Sequence, residues 1–454
     1  MDSLFESPLG AAFARPWVDR AGLFRLRRWY MPLSRLWAAA NAAGRDIDRF
    51  RAEIGAPIAI PWPAPFLHRL LGANERARDV AEAARRRWEA AIFGRAGGGE
   101  PGALDWQRRL AATRHIAARA RFYPLLFPQR APTARWEIDD PVASEAALAT
   151  LLSRPTDLYA AAGDVATIEV SQPAVKDGLR QYWLRAPTPS ARLAARAGSE
   201  TLYARVVEPA DGSAAATLVF GSGLGLELEQ LAIARDPAAR LARMGWRVIE
   251  PISPYHGLRA MPGRYAGEPF YGASPTAAID LVSGQAIESA LLIAWARGHF
   301  GGKVALAGIS MTSFVAQQAA SHCHVWPEEA RPDAVMLISH SGSITGVTFD
   351  GELTSMLGLD RALTAAGWSP EQVARVSTLI DPAEQPALPA SRIVSVLGSA
   401  DRWLPYEDGL GIARRWKLPE ANTFRYPLGH LGMPVQLTRD TAPFARLRRV
   451  LDET

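Results

Sequence analysis

The hydrophobic rhythm of the chain changes near residue 195. Before it, apolar positions recur at helical spacing. Leu33, Leu36, Trp37, Ala40 and Ile47 share a face and predict a helix over 30–50. Residues 56–67 (APIAIPWPAPFL) carry four prolines, which remove amide donors and exclude a regular helix there. Asn74 reads as the cap of a helix running to about Phe93, before a loop at 94–102 (GRAGGGEPG). Further helices are predicted from Asp105 to about Tyr123 and over 144–153. Residues 1–195 are thus expected to form a mainly helical N-terminal region, to which the pattern assigns no role.

After residue 195, short apolar runs alternate with amphipathic stretches. The runs are TLYARVVEP (201–209), ATLVFGSG (216–223), WRVIEPISP (246–254), KVALAGIS (303–310), AVMLISHS (334–341), RIVSVLGS (392–399) and NTFRYPLG (422–429). The stretches between them fall near 227–243, 283–298, 312–323 and 406–416. Buried strands alternating with helices predict an α/β fold, a doubly wound and mostly parallel sheet over 196–454. Ligands in such sheets sit at the carboxyl ends of the strands.

Composition narrows the class. Of 454 residues, 48% are apolar and 21% charged, which excludes a disordered, collagenous or coiled-coil chain. Cys323 is the only cysteine, which excludes a disulfide scaffold. No run approaches the roughly 18 uninterrupted apolar residues of a spanning helix. The first residues, MDSLFESPLGAAFARPWV, lack a basic leader followed by an apolar core, so a cytoplasmic address is expected. Residues 1–195 carry 28 Lys/Arg against 20 Asp/Glu, and residues 196–454 carry 23 against 26. The basic half, with Phe24, Arg25, Arg27, Arg28, Trp29 and Tyr30 in one stretch, reads either as a peripheral membrane contact or as a helix packing its aromatics inward. Only Lys176, Lys303 and Lys417 are lysines, so the arginine excess reads as a general bias, and no nucleic-acid partner is expected.

The chemistry sits at strand ends. Gly308-Ile309-Ser310-Met311-Thr312-Ser313 follows one strand and opens a helix, the setting that lifts a serine hydroxyl clear of a sheet. Gly308 is small as the tight turn demands, whereas Thr312 stands where a second glycine is usual. Asp401 and His430 follow the next-to-last and last predicted strands. The order Ser310, Asp401, His430 is that of a nucleophile, an orienting acid and a general base. Asp350, Asp360 and Asp381 compete as acids, but none follows a strand directly. The amide of Met311 and that of Ser222 or Leu224, in the glycine loop 221–225, are the expected donors to an oxyanion. That loop has neither the P-loop ending nor dinucleotide spacing, so no cofactor is expected. His322-Cys323-His324 offers no shared helix face, so no metal is expected either. His340 reads as pocket-lining or turn-capping. Residues 342–391 read equally as a lid over the site or as an ordinary covering helix.

These features resemble an α/β-hydrolase over residues 200 to 454. Within that superfamily they are similar to the group called abhydrolase domain-containing protein 18. The likeness rests on the loop FGSGLGLELE, on Pro254-Tyr255-His256-Gly257-Leu258-Arg259, where His256 replaces an aromatic, and on Gly308-Ile309-Ser310-Met311. The resemblance implies a serine hydrolase of the esterase or lipase kind. It would form an acyl-enzyme and act on acyl esters, phospholipids among them. The alternatives are a non-catalytic binding scaffold on the same fold, favoured by Thr312, and an acyltransferase.

Overall fold

The computed structural model describes residues 16–55, 62–94, 99–127, 131–160, 167–225 and 236–454. Its centre is a ten-stranded sheet. The strands are β1 (Glu169–Val170), β2 (Ala174–Lys176), β3 (Leu179–Pro187), β4 (Thr201–Pro209), β5 (Ala216–Gly221), β6 (Trp246–Pro251), β7 (Val304–Ile309), β8 (Ala334–Ile338), β9 (Ile393–Gly398) and β10 (Thr423–Tyr426). Their spatial order is β1-β3-β4-β6-β5-β7-β8-β9-β10, with β2 also on β3. β4 runs antiparallel to β3 and β6, and every pairing from β6 through β5 to β10 is parallel. All seven predicted strands are therefore present, each ending within a few residues of its expected position.

The sheet is covered on both faces. Val219, Ile249, Leu306, Val335 and Leu337 point into one core, while Leu218, Val248, Ala305, Met336 and Val394 point into the other. This alternation is the two-residue period of a strand buried on both sides. The covering helix Thr276–Phe300 has the length and hydropathy of a membrane span, yet it lies almost wholly buried in the core.

The helical half departs from expectation in detail. Its helices are α1 (Pro16–Arg25), α2 (Met31–Ala43), α3 (Ile47–Glu53), α4 (Ala64–Phe93), α5 (Pro101–Ala117) and α6 (Pro141–Ser153). The single helix expected over 30–50 is broken at Gly44, which takes φ +62°. Asn74 caps nothing. It lies inside α4, which starts ten residues earlier, and its buried amide donates to Asn41 Oδ1 at 2.7 Å. Pro63 stands at the N-cap and Pro65 at N2, positions where a missing amide costs no helical bond. Of the proline-rich stretch, 56–61 lie outside the described residues, as do 95–98 of the 94–102 loop and 226–235 ahead of helix Pro237–Arg243.

The boundary expected at residue 195 is corrected. β1, β2 and β3 precede it and extend the sheet edge, β3 pairing with β4 along its whole length. The upstream helices share the same core. Leu36, Phe50, Leu67 and Phe122 pack in one cluster with Tyr265, Tyr271 and the sheet. Trp88 of α4 meets Trp183 of β3 edge-on at 5.2 Å, with the Arg108 guanidinium over both rings. β3 was missed because LRQYWLRAP alternates poorly; one strand face is covered by α4 and α5 rather than by solvent.

Candidate active site

Ser310 stands at the turn between β7 and helix Met311–His322, with φ +57° and ψ −119°. A non-glycine residue holds such a backbone only when its surroundings over-determine it. They do so here. The Ser310 amide donates to Ile338 O on β8 at 2.9 Å, and Ser313 Oγ donates to the Ser310 carbonyl. A Cβ at Gly308 would collide with the Thr312 carbonyl, so glycine is required there.

Thr312 does not distort the turn. Its hydroxyl accepts the Ile309 amide at 3.0 Å and donates to the Ile309 carbonyl at 3.1 Å. Its side chain lies against Gly221 at the end of β5, where a Cβ would come within 2.8 Å of Thr312 Cβ. The room normally supplied by a glycine in the turn is supplied by a glycine on the neighbouring strand.

Asp401 and His430 come to the serine from the next strands out. His430 Nδ1 donates to Asp401 Oδ2 at 2.7 Å, and Ser310 Oγ donates to His430 Nε2 at 3.0 Å. The other Asp401 oxygen accepts the amides of Trp403 at 3.0 Å and Leu404 at 3.2 Å. Turn cap and imidazole partner are therefore one role, held by one carboxylate with both oxygens occupied. The two supporting loops are tied together: Ser399 N donates to Tyr426 O at 2.7 Å, and Ala400 N to Leu428 O at 3.0 Å. Burial disfavours the imidazolium of His430, but the charge and hydrogen bond of Asp401, with Asp19 behind, outweigh it and raise the pKa above its ordinary value.

Of the competing acids, Asp381 accepts the Ile344 amide at 2.6 Å, away from the imidazole. His340 neither lines the cavity nor caps a turn. Its buried Nε2 meets Ser395 Oγ at 2.8 Å, and burial lowers its pKa to about 3, so it stays neutral. Three participants escaped the sequence pattern. The indole of Trp403 stacks on the His430 ring at 5.0 Å. Asp19 of α1 accepts the amides of His430 and Leu431. His256 holds the glycine loop: its Nδ1 donates to Pro254 O at 2.8 Å and its Nε2 accepts the Gly225 amide at 3.0 Å. Burial lowers its pKa to about 4, which keeps the Nε2 lone pair free for that bond. Tyr30 reaches the Gly225 carbonyl at 3.2 Å from the other side. His256 was legible as part of a motif, though not in this role; nothing near Asp19 marked it.

Beside Ser310 lies a cavity of about 60 Å³, lined chiefly by apolar groups including Leu224, Phe270, Phe314, Val347, Leu353 and Trp403. Met311 and Leu224 border it, whereas Ser222 does not. Its roof is formed by the short helices Ile344–Phe349, Glu352–Leu357 and Leu359–Ala365. Of residues 342–391, only the stretch from Ile344 to Leu359 borders this cavity.

A sheet ordered in this way, with its second long strand reversed and a strained serine after the central strand, decides the architecture. The chain has the α/β-hydrolase fold. No protein-family model matches it, and no curated protein matches its sequence. Among solved structures it is similar to acetyl xylan esterase 1 from Thermoanaerobacterium sp. JW/SL YS485, with 13% identity, 67% of this chain and 93% of that chain covered, and a TM-score of 0.47. An acetyl xylan esterase from Paenibacillus sp. R4 gives 13% identity, 66% and 92% coverage and a TM-score of 0.45. Brefeldin A esterase, described as a bacterial homologue of human hormone sensitive lipase, gives 14%, 69% and 85%, and 0.38. Within the hydrolase fold, Ser310 and the glycine loop lie where β5 and β7 adjoin. There the chain switches direction across the sheet and a crevice opens at the strand ends.

Proposed function

We propose that the protein is a serine hydrolase that cleaves carboxylic esters through Ser310, His430 and Asp401. The observation that carries this reading is the unbroken hydrogen-bonded chain from Ser310 Oγ through His430 to Asp401 at 3.0 and 2.7 Å. Ser310 Oγ attacks the acyl carbonyl carbon while its proton passes to His430 Nε2. Asp401 holds the Nδ1–H tautomer and stabilises the imidazolium. The tetrahedral oxyanion is held by the amides of Met311 and Leu224. The first is a helix N1 donor with no intrahelical acceptor. Collapse breaks the ester C–O bond, and His430 returns its proton to the departing alcohol. A water then gives His430 a proton and attacks the acyl-serine, releasing the acid and the free hydroxyl.

The cavity supports a short acyl group. A volume of about 60 Å³ is room for roughly four waters, hence an acyl portion of about two to four carbons. A long chain needs the three roof helices to move aside. The reading is tested with a fluorophosphonate probe, which should label the wild type and not Ser310→Ala. A panel of p-nitrophenyl esters should then show acetate and butyrate cleaved faster than decanoate, and product analysis in the presence of alcohols separates hydrolysis from acyl transfer. No labelling of a folded wild type would move the assignment to a binding scaffold.

A second reading, an ester presented at a lipid surface, has its own support. It is the one implied by the likeness to the abhydrolase domain-containing protein 18 group. Trp17 (59% exposed), Phe24 (61% exposed) and the exposed Arg20 and Arg27 lie along α1 and its continuation, beside the His430 turn. Sedimentation with phosphatidylserine vesicles, lost in Trp17→Ser/Phe24→Ser, tests it.

A further inference from the structure

The turn that carries His430 is gripped by a side chain from the opposite end of the sequence. Asp19 accepts the His430 amide at 2.5 Å and the Leu431 amide at 3.0 Å. The fit is shaped from both sides. A Cβ at Gly429 would overlap the Asp19 carboxylate, and a Cβ at Gly22, one turn further along α1, would overlap Leu431. Two glycines thus allow helix and turn to approach.

Asp19 is the most deeply buried side chain of α1, at 5% exposed, while Val18 and Leu23 are half-buried, Leu23 against the core, and Trp17 and Phe24 stand out in solvent. A helix docked for stability alone buries its apolar side chains and leaves its carboxylates wet. Here the deepest group is a carboxylate, aimed at the turn that supplies the base.

We infer that Asp19 is a positioning residue for His430. From behind, it fixes the turn at 429–431 so that the imidazole keeps Nδ1 on Asp401 and Nε2 on Ser310. The inference rests on the serine-hydrolase reading above and gives the N-terminal helix a place in it. The charged groups facing the imidazole are Asp401, from the loop after β9, and Asp19, from α1; Trp403 and Ser310 complete its surroundings without charge. Both carboxylates favour the protonated ring.

The experiment compares wild type, Asp19→Asn and Arg449→Ala, an exposed residue on the last helix, Ala442–Asp452. Asparagine keeps one acceptor, turns an NH2 towards an amide donor and removes the charge. The rate of fluorophosphonate labelling is measured from pH 5 to 9. In parallel, the imidazole resonances are titrated by NMR, with His430 assigned from His430→Gln. Asp19→Asn should label about 10- to 100-fold more slowly at pH 7, the range expected for a base displaced by a fraction of an ångström to one ångström. Loss of a nearby negative charge favours the neutral ring. The midpoints of both the rate profile and the NMR titration should therefore fall, by about one pH unit. Arg449→Ala should match wild type.

A folded Asp19→Asn protein with wild-type rate and midpoint overturns the inference, even if its thermal stability is lower. If the wild type itself does not label, the hydrolase reading fails. The NMR titration then decides alone, and an unmoved His430 midpoint in Asp19→Asn overturns the positioning role. Should Asp19→Asn not fold, Gly429→Ala displaces the carboxylate without removing its charge. It should slow labelling about 10-fold or more, and a folded Gly429→Ala protein with the wild-type labelling rate overturns the inference.

Discussion

Replacing Arg35 with methionine tests whether the N-terminal helices and the sheet form one folding unit. Arg35 lies on α2 and is fully buried, with its Nη1 at 2.7 Å from both oxygens of the equally buried Glu268. Its Nη2 donates to the carbonyls of Glu53 at 3.2 Å and Gly263 at 2.8 Å. Methionine fills much of the volume but leaves the carboxylate unpaired, and breaking a buried pair from one side costs about 3–5 kcal/mol. Glu268 still accepts the amides of Arg135 at 2.7 Å and Tyr265 at 3.1 Å, and Arg264 lies 3.4 Å away. The lower end, about 3 kcal/mol, is therefore expected. An unfolding entropy near 2.1 cal/mol/K per residue over 454 residues gives about 1 kcal/mol per degree, so the midpoint should fall by about 3 °C. Calorimetry reads the shift, and tryptophan fluorescence and circular dichroism in urea report whether the two halves unfold together. Arg35→Met/Glu268→Gln, which removes the stranded charge but keeps an acceptor for the amides, should recover most of the loss. A variant in which an early transition moves and a later one stays would refute the shared core, because the helices would then melt as a separate domain.

Four further outcomes follow from the site. Asp401→Asn, which keeps the turn amides satisfied but upsets the imidazole tautomer, should slow fluorophosphonate labelling about 10⁴-fold with little change in melting. Leu353→Ala opens the roof of the cavity and should shift the p-nitrophenyl ester optimum to longer acyl chains; an unchanged profile would place the acyl group elsewhere. Gly221→Ala should depress activity by pushing Thr312 into the turn, and Thr312→Gly should restore it, measured as a double-mutant cycle in labelling rate. Burial raises the Asp381 pKa from 3.8 to about 6, so its ionisation opposes folding by an amount that is absent below pH 4, grows as pH rises to 6 and is full above. Asp381→Asn should therefore raise the melting temperature at pH 8, by up to about 3 kcal/mol in stability, and change it little at pH 4.

The parallel part of the sheet was legible because its strands are buried on both faces. Runs such as Val304–Ile309 and Ala334–Ile338 are continuously apolar and end at residues of unusual chemistry. Ser310, Asp401 and His430 could be read in order because each follows one of these runs. The upstream edge was not legible. β3 alternates Arg180 and Arg185 with Tyr182, Trp183 and Leu184, and its partner helices lie tens of residues earlier in the chain. Helix ends failed where a tertiary contact overrode a local signal. Asn74 looks like a cap, yet its hydrogen bond to Asn41 holds two helices side by side.

What supports the site obeys a different logic from what forms it. The turn at Ser310 needs free volume, not a glycine at one fixed position, and Gly221 on β5 supplies that volume to Thr312 across the sheet. A motif written along one strand cannot register a vacancy on its neighbour, so the threonine looked like a defect. The same holds for His430. Its turn is fixed by Asp19, 411 residues away in sequence, and the paired vacancies at Gly429 and Gly22 are what let α1 approach. In both cases the absence of a side chain in one element admits a polar side chain from another. The absence and the intruder lie too far apart in sequence to form a pattern. The residues proposed to do the chemistry are thus local to strand ends, whereas the residues that hold them in register are distributed, and only the folded chain brings the two sets together.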